Sequence, residues 1–122
     1  MKKIEAIIRK TKFEDVREAM VAEGIEWFSY TDVRGVGKSR QERIYRGVVY
    51  DTSYIERIQI SIVLSDESVK PVVNAIAEAA HTGEIGDGRI FVYPVEEAHR
   101  IRLGASYEST QYVEVREKKA KK

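Results

Sequence analysis

The stretch Ile58-Gln59-Ile60-Ser61-Ile62-Val63-Leu64 and the segment 65–80 that follows it decide the fold class. Apolar side chains at every second position indicate a strand with one buried face. After the strand, apolar residues recur at steps of three and four, which predicts a helix. These residues are Val69, Val72, Val73, Ile76 and Ala80. We place the helix start between Ser65 and Ser68, so that Pro71 lies near it, because a proline deep inside a helix costs about 3 kcal/mol.

The same two patterns occur at the beginning of the chain. Strand-like alternation over residues 4–8 is followed by helical spacing over residues 13–20. Thr11 and Glu14 fit a capping box at the start of this helix, and Gly24 fits a left-handed cap at its end. A second strand-and-helix unit is therefore predicted.

Two further strands complete the pattern, one over residues 27–33 and one over residues 90–93. We predict an α+β domain of the ferredoxin-like βαββαβ type, with a four-stranded antiparallel sheet and two helices on one face. A long loop would connect strands 2 and 3. Phe28 and Tyr30 would point to the other face of the sheet, which either self-association or simple exposure to solvent would accommodate.

Length and charge limit the organisation of the protein. The 122 residues suit one domain over residues 1–112, followed by a charged, flexible tail over residues 113–122. The net charge of +1 gives no general attraction to nucleic acid or membrane. The lysines of the tail could contact a polyanion, although a solvated terminus is the simpler interpretation.

Several classes of function are disfavoured by composition. The chain has no cysteine, which excludes disulfides, thiolate metal sites and cysteine nucleophiles. It has no apolar run of about 20 residues, and its beginning resembles a strand more than a signal peptide. His81 and His99 have no metal-ligand spacing. We therefore expect a cytoplasmic protein that is not an enzyme and has neither a catalytic cofactor nor a metal centre.

The segment 36–54 is long for a connection inside a compact domain. It has no regular period and carries cations among aromatic residues, a mixture that suits contact with a protein partner. The candidate partner-binding residues are Arg43, Tyr45, Arg46 and Tyr50. A solvated, extended hairpin arm without a partner is the alternative.

Two glycine turns each end in a cation, Gly35-Val36-Gly37-Lys38 and Gly86-Asp87-Gly88-Arg89. Glycines let backbone N–H groups approach phosphate oxygens closely, and the cation offsets the phosphate charge. Arg100 and Arg102 alternate, so on an extended segment both point the same way. Together these features would suit a triphosphate. Taken alone, a glycine turn is more often an ordinary tight turn, and the two alternating arginines more often belong to a solvated edge strand.

The run Thr82-Gly83-Glu84-Ile85-Gly86-Asp87-Gly88-Arg89-Ile90-Phe91-Val92 resembles the C-terminal signature of the PII family of nitrogen regulators throughout. Residues 1–9, Gly35-Val36-Gly37 and Tyr45-Arg46-Gly47 also resemble that family, so the likeness covers about residues 1–104. It implies a signal-transduction protein that forms a homotrimer of ferredoxin-like subunits. ATP, with or without Mg²⁺, or ADP would bind in each cleft between neighbours.

The resemblance also implies the nucleotide-binding positions. Ile7, Ser29 and Val63 would hold the base, while the two glycine turns and two arginines would hold the phosphates, one set reaching across the subunit boundary. The phosphate positions are Gly35, Val36, Gly37, Lys38, Gly86, Asp87, Gly88, Arg89, Arg100 and Arg102.

Ser39, Gln41 and Arg57 are candidate effector-binding residues by the same resemblance. The family holds 2-oxoglutarate through a metal beside ATP, using a glutamine at the position of Ser39 and a lysine at that of Arg57. A serine hydroxyl cannot span the distance that a glutamine amide reaches. Gln41 could replace it only if the gap in this shorter loop falls elsewhere, so we expect weak or absent 2-oxoglutarate binding.

Tyr50 aligns with the family's modifiable loop tyrosine and is a candidate modification site, although Val48 and Val49 replace the small and acidic residues usual before it.

The resemblance implies that the loop 36–54 regulates a membrane transporter's cytosolic face or a metabolic enzyme in nitrogen-related control. The partner could recruit the protein to the membrane. One alternative is a divergent PII-like sensor of adenine nucleotide that does not respond to 2-oxoglutarate. The other, an RNA-binding ferredoxin-like module, is disfavoured because the central strands have no aromatic-rich RNP signature, and we expect no nucleic acid.

Overall fold

A computed structural model of the chain describes residues 1–36, 43–45, 48–50 and 54–102. At positions 36, 43–45, 48–50, 54 and 55 the description covers the backbone alone. The elements in chain order are β1 (Lys2–Arg9), a 3₁₀ turn (Lys10–Lys12), α1 (Phe13–Ala22), β2 (Ser29–Val36), β3 (Arg43–Tyr45), β4 (Val48–Tyr50), β5 (Tyr54–Leu64), α2 (Asp66–Ala80) and β6 (Gly88–Pro94).

Four strands form the main sheet in the order β2-β5-β1-β6, and each pair of neighbours is antiparallel. With α1 after β1 and α2 after β5, this is the predicted ferredoxin-like arrangement. The short strands β3 and β4 pair with each other as a separate ribbon. The predicted fold class is confirmed.

The core forms where β1 and β5 pair, because their registers bring apolar residues directly opposite one another. The opposed pairs are Ile4 with Ile62, Ala6 with Ile60 and Ile8 with Ile58. All six side chains are buried. Both helices cover this face and bury their own apolar residues in the same cluster, which are Val16, Met20, Val72, Ile76 and Ala80.

Phe28 and Tyr30 lie on the helix-covered face, so their predicted orientation was wrong. Tyr30 is directly opposite the buried Ile60, and directly opposed residues share a face. The rings of Phe28 and Tyr30 lie 6.4 and 4.6 Å, centroid to centroid, from that of Phe13 in α1. These aromatic side chains, in β2 and just before it, are long enough to reach α1 from the edge of the sheet.

The capping box predicted for α1 does not form. The N-cap residue is Lys12, with no side-chain cap hydrogen bond, and the N–H of Phe13 donates to the carbonyl of Lys10 in the preceding 3₁₀ turn. That turn begins the helix with backbone bonds alone. At the other end Gly24 has φ +91°, and the N–H of Ile25 reaches the Met20 carbonyl at 3.0 Å. The predicted left-handed cap is therefore confirmed.

Helix α2 starts at the first of the positions that the sequence left open. Ser65 is its N-cap residue, which makes Pro71 the sixth helical residue. Pro71 therefore lies in the second turn, further inside than expected, and it leaves the carbonyl of Glu67 without its usual i+4 donor. The proline is exposed, so water can reach the helix at this point.

The long connection leaves the sheet at the tip of the β2–β5 pair. Strand β2 starts two residues later than predicted and runs to Val36, which is opposite Tyr54 at the start of β5. The segment between them, called the arm here (residues 37–53), is thus an insertion in a hairpin. Within it the backbone of β3 pairs with that of β4, a pairing that no periodicity had indicated.

Gly88 allows β6 to approach β1. Its φ is +107°, and a Cβ atom there would lie 1.8 Å from the carbonyl oxygen of Ile7. No change of rotamer relieves such an overlap, because the backbone of β6 sets the position of the Cβ atom and the oxygen belongs to the backbone of β1. The second glycine of the Gly86-Asp87-Gly88 turn is therefore fixed by the sheet itself.

We expect Gly88→Ala to lower the free energy of unfolding by about 2 kcal/mol or more beyond the loss caused by Gly83→Ala. Gly83 is the matched control, since its φ is also positive at +87° but a Cβ there would meet the nearest atom, in His81, at 3.6 Å. Urea unfolding at equal protein concentration measures both. Equal losses of unfolding free energy in the two variants would show that overlap with the Ile7 carbonyl oxygen does not add to the cost of an alanine at position 88.

Candidate functional site

Asp87 organises the loop of residues 82–88, which joins α2 to β6. Its Oδ2 atom accepts hydrogen bonds from the N–H groups of Thr82 and Gly83, each at 2.9 Å. Its Oδ1 atom accepts the Thr82 hydroxyl and, at 3.2 Å, the Nε–H of Arg9. These bonds, those from Thr82 first, hold the pKa of Asp87 well below its usual range. The carboxylate therefore stays charged and fixes the loop.

Two arginines attach the loop to the sheet. The register of β1 and β5 sets Arg9 opposite Arg57. Arg9 Nη2 donates to the carbonyl of Ile85 at 3.0 Å, and Arg57 Nη1 donates to the carbonyl of Gly86 at 2.6 Å. Burial, and secondarily the charge of Arg9, lowers the pKa of Arg57. The guanidinium remains charged, since arginine is not deprotonated in proteins.

Glycines make room for these guanidinium groups. A Cβ at Gly86, where φ is +102°, would lie 3.3 Å from Arg9 Nη2 and 3.4 Å from Arg57 Nη2. A Cβ at Gly35 would lie 3.3 Å from Arg57 Nε. Arg57 therefore sits between Gly35 in β2 and Gly86 in the loop. The structure thus brings one residue from each predicted glycine turn to the same side chain.

The sheet face away from the helices, called the open face here, carries the predicted base-binding residues at two separate ends. Ile7 lies beside Arg89 and next to the 82–88 loop, at the end of the sheet from which the arm emerges. Ser29 is opposite Ser61, and Val63 is opposite Lys3, towards the other end. Val63 is four residues along β5 from the partner of Ile7, a separation of about 13 Å.

A polar network lies between these ends. The carboxylate of Glu5 accepts hydrogen bonds from Gln59 at 2.8 Å and from the Tyr93 hydroxyl at 2.6 Å. The bond to Glu5 raises the pKa of Tyr93. Lys3 Nζ lies 5.8 Å from the centre of the Tyr93 ring. The open face is therefore not a continuous apolar surface.

Arg100 and Arg102 follow β6, which ends opposite the start of β1. The N–H of Val95 donates to the Met1 carbonyl at 3.1 Å, so the chain leaves the sheet at the end near Val63. The two arginines therefore begin their path at the opposite end from the 82–88 loop. Their predicted phosphate contact stays a prediction.

Several predicted residues cannot be placed. Gly37, Lys38, Ser39, Gln41 and Arg46 lie outside the described residues. For Val36, Arg43, Tyr45 and Tyr50 the description is limited to backbone in β2, β3 and β4. The partner, effector and modification assignments on the arm stay predictions, as does the tail over residues 113–122.

The sequence analysis missed Arg9 and Thr82. Arg9 lies two residues after Ile7 in the alternating strand pattern, which places both on the same face of the sheet. An arginine at the end of a strand is usually solvated, so the pattern alone gives it no role in a site. Thr82 lies five residues before Asp87, and its hydroxyl also accepts the N–H of Glu84 at 3.2 Å. This is the side-chain-to-backbone bonding common in loops.

Among residues 1–35 and 56–102, whose side chains are described, no three histidine or acidic side chains are grouped so that they could hold a metal ion. In the described part of the chain, no helix has the length and apolar character needed to cross a membrane. The described residues thus form a ferredoxin-like domain with a sheet face that the helices leave uncovered and a glycine loop held at the end of the sheet.

A family model described as Nitrogen regulatory protein P-II matches residues 1–105. Proteins with that name include one from Cereibacter sphaeroides, 44% identical over 109 residues (88% of this chain, 97% of that protein). One from Pasteurella multocida is 46% identical over 109 residues, with the same coverage. One from Azospirillum brasilense is 45% identical over 105 residues (85% and 94%).

The chain therefore belongs to the P-II family of nitrogen regulatory proteins. This confirms the resemblance seen in the 82–92 run. Members of the family are regulatory signal transducers, so family membership also confirms that the chain is not an enzyme.

We expect Asp87→Asn to lower the stability of the protein at pH 7, and the difference from wild type to shrink as the pH falls below about 4. The pKa of Asp87 is lower in the folded state. Its contribution is thus complete above the unfolded pKa and is lost as the pH falls towards the folded pKa. Urea unfolding between pH 7 and pH 2.5 measures the difference.

Asp15→Asn is the control for that series, because Asp15 is an exposed carboxylate on α1, paired with Lys12 at 3.8 Å. Its effect at pH 7 should be small, as for other surface pairs. A difference for Asp87→Asn that stays constant down to pH 2.5 would contradict the assigned role of the carboxylate.

Proposed function

We propose that this protein is a trimeric sensor of ATP and ADP that regulates a protein partner through its arm. The observation that carries the proposal is the meeting of both glycine turns at Arg57, at one end of the open face. In a chain of the P-II family this arrangement suits the phosphates of a nucleotide. ADP and ATP share the base, ribose and two phosphates, so we expect them to compete for one site.

The charges at this end of the open face favour a polyanion. Arg9, Arg57 and Arg89 lie there with a single described acidic partner, Asp87. Because Asp87 is bonded to Arg9, Thr82 and Gly83, its charge is largely compensated inside the loop. A phosphate that approached would therefore meet a field of positive charge and backbone N–H groups more than a free carboxylate.

The spacing of the base-binding positions supports a site shared between subunits. One adenine ring is too short to contact both Ile7 and Val63 of one chain across about 13 Å. A ring of subunits joins unlike patches of neighbouring chains, because its contacts are heterologous. In a trimer, the Ile7 end of one subunit could thus face the Ser29 and Val63 end of the next, with Arg100 and Arg102 reaching across.

The arm is the proposed output element. Its two roots, Val36 and Tyr54, are paired in the ladder that also holds Gly35 and Arg57. A nucleotide can shift the arm only through its different affinity for the two arm conformations, and the γ-phosphate is the group by which ATP and ADP differ. The partner would be a transporter's cytosolic face or a metabolic enzyme, with the protein acting in the cytoplasm or recruited by that partner. Weak 2-oxoglutarate binding stays a prediction, since Ser39 and Gln41 lie outside the described residues.

Isothermal calorimetry should show ATP and ADP binding in competition. Replacing Arg100 and Arg102 together by alanine should weaken both by more than tenfold, which is about 1.4 kcal/mol. The control is Arg17→Ala with Lys70→Ala, which removes two positive charges from the exposed surfaces of α1 and α2. A loss below threefold in the Arg100/Arg102 variant would refute their assignment to the phosphates.

Mixed trimers test the shared site. Arg89→Ala should disable one side of every cleft and Val63→Glu the other, so each pure variant should bind nucleotide poorly. When the two are unfolded together and refolded as mixtures, about one cleft in four should contain both intact sides. Recovery of about a quarter of wild-type binding is expected. No recovery, or a monomer in light scattering with ATP present, would refute the shared cleft.

Removal of residues 40–50 should abolish nucleotide-dependent capture of the partner from lysate while leaving ATP affinity unchanged. The reason is that the arm, and not the sheet, is the proposed contact surface. Protease protection of residues 38–54 should differ between ATP and ADP in the intact chain. Retention of every nucleotide-dependent partner by the shortened protein would rule out the arm as the output element.

A further inference from the structure

Arg9 and Arg57 form an unusual pair, since two like charges stand directly opposite each other on the open face. Like charges directly opposite on neighbouring strands are destabilising unless other groups compensate them. Here the compensation comes from one loop, through the carbonyls of Ile85 and Gly86 and the carboxylate of Asp87. The Arg9 and Asp87 side chains are 20% and 25% exposed, so screening by solvent is limited. Both arginines are thus committed to the 82–88 loop.

The two acceptor carbonyls are consecutive, and this fixes the direction of the next N–H groups. A trans peptide is planar, so its N–H points opposite to its C=O. The carbonyl of Ile85 shares a peptide plane with the N–H of Gly86, and the carbonyl of Gly86 shares one with the N–H of Asp87. Because Arg9 and Arg57 draw both carbonyls towards themselves, both N–H groups point away from the guanidiniums.

The rest of the loop is held from the inside. Asp87 accepts the N–H groups of Thr82 and Gly83, and the Thr82 hydroxyl accepts the N–H of Glu84. Asp87 therefore holds the loop closed through hydrogen bonds within it, whereas the arginines orient the loop on the sheet. Arg9 contributes to both, because it contacts the carboxylate of Asp87 and the carbonyl of Ile85.

We propose that Arg9 and Arg57 are positioning residues of the nucleotide site, which hold two consecutive peptide planes so that the N–H groups of Gly86 and Asp87 face the phosphates. The role in binding rests on the proposed function, whereas the orientation of the loop does not. Arg9 and Arg57 act through the loop, and Arg57 also connects it to Gly35 at the root of the arm.

A second set of contacts lies behind this pair but is weaker. Lys10 Nζ lies 3.7 Å from Asp32 and 3.6 Å from Glu56, which ties the end of β1 to the two strands that lead into the arm. All three side chains are more than half exposed, at 53%, 75% and 71%. Surface pairs of this kind contribute little to stability, so the attachment of the 82–88 loop depends on the hydrogen bonds of Arg9 and Arg57.

The test compares Arg9→Met and Arg57→Met with Arg17→Met. Methionine keeps an unbranched apolar chain but removes the donors, and Arg17 is the matched control because its described bond is to Glu14 on α1, at 2.8 Å. Hydrogen–deuterium exchange of the 82–88 peptide without nucleotide is the first measurement. We expect at least tenfold faster exchange in Arg9→Met and Arg57→Met, with the 58–64 peptide and the Arg17→Met protein unchanged.

Calorimetry with ATP and ADP is the second measurement. Arg9→Met and Arg57→Met should bind both nucleotides at least tenfold more weakly. Arg9→Lys, which keeps the charge but loses the forked Nε and Nη2 donors that reach Asp87 and Ile85, should fall between wild type and Arg9→Met in both measurements. In the double variant the losses should be less than additive, because both arginines hold the same loop.

The outcomes separate this proposal from the proposed function. Unchanged exchange of the 82–88 peptide in Arg9→Met and Arg57→Met would overturn the positioning role, even if affinity fell, since the arginines would then be direct phosphate ligands. Faster exchange with unchanged affinity would also overturn it. Faster exchange in a protein whose wild type binds no nucleotide would support the bracing of the loop and refute the nucleotide function alone.

Discussion

The antiparallel pairing of β1 with β5 fixes both the hydrophobic core and the candidate site. On one face it sets three apolar pairs opposite one another, and each fully buried isoleucine contributes about 1.5–3 kcal/mol. On the other face the same register sets Arg9 opposite Arg57. A slip by one residue would exchange the two faces, exposing the isoleucines and burying the arginines. The core and the candidate site are therefore specified by one register.

The conformation of the 82–88 loop depends both on its glycine backbone and on the charged side chains that hold it. Gly88 is required because β6 approaches the backbone of Ile7 too closely for a side chain. Asp87 accepts hydrogen bonds from the N–H groups of Thr82 and Gly83, and Arg9 compensates its negative charge. A carboxylate beside a proposed phosphate site would ordinarily repel the ligand. Asp87 is compatible with the proposed phosphate site because its charge is already compensated by hydrogen bonds within the loop and by Arg9.

The open face supports the proposal that the nucleotide site is shared between subunits. Its centre is occupied by the hydrogen-bonded Glu5, Gln59 and Tyr93, and the residues assigned to the base lie at both ends. Strand geometry keeps those ends about 13 Å apart. A heterologous contact between neighbouring subunits is the simplest way to bring unlike ends together, and it is the arrangement that the P-II resemblance implies.

The sequence predicts the fold class, both helices, the left-handed cap at Gly24 and the family, because alternation, helical spacing and the 82–92 run are local properties. It did not determine the facing of Phe28 and Tyr30, since a strand pattern gives two faces without saying which one the helices cover. The contacts of Arg9 with the 82–88 loop, and the hydrogen bonds that Asp87 accepts within that loop, become visible in the tertiary structure alone. Arg9 and Asp87 are 78 residues apart in sequence and meet only because the β1–β5 and β1–β6 registers bring them together.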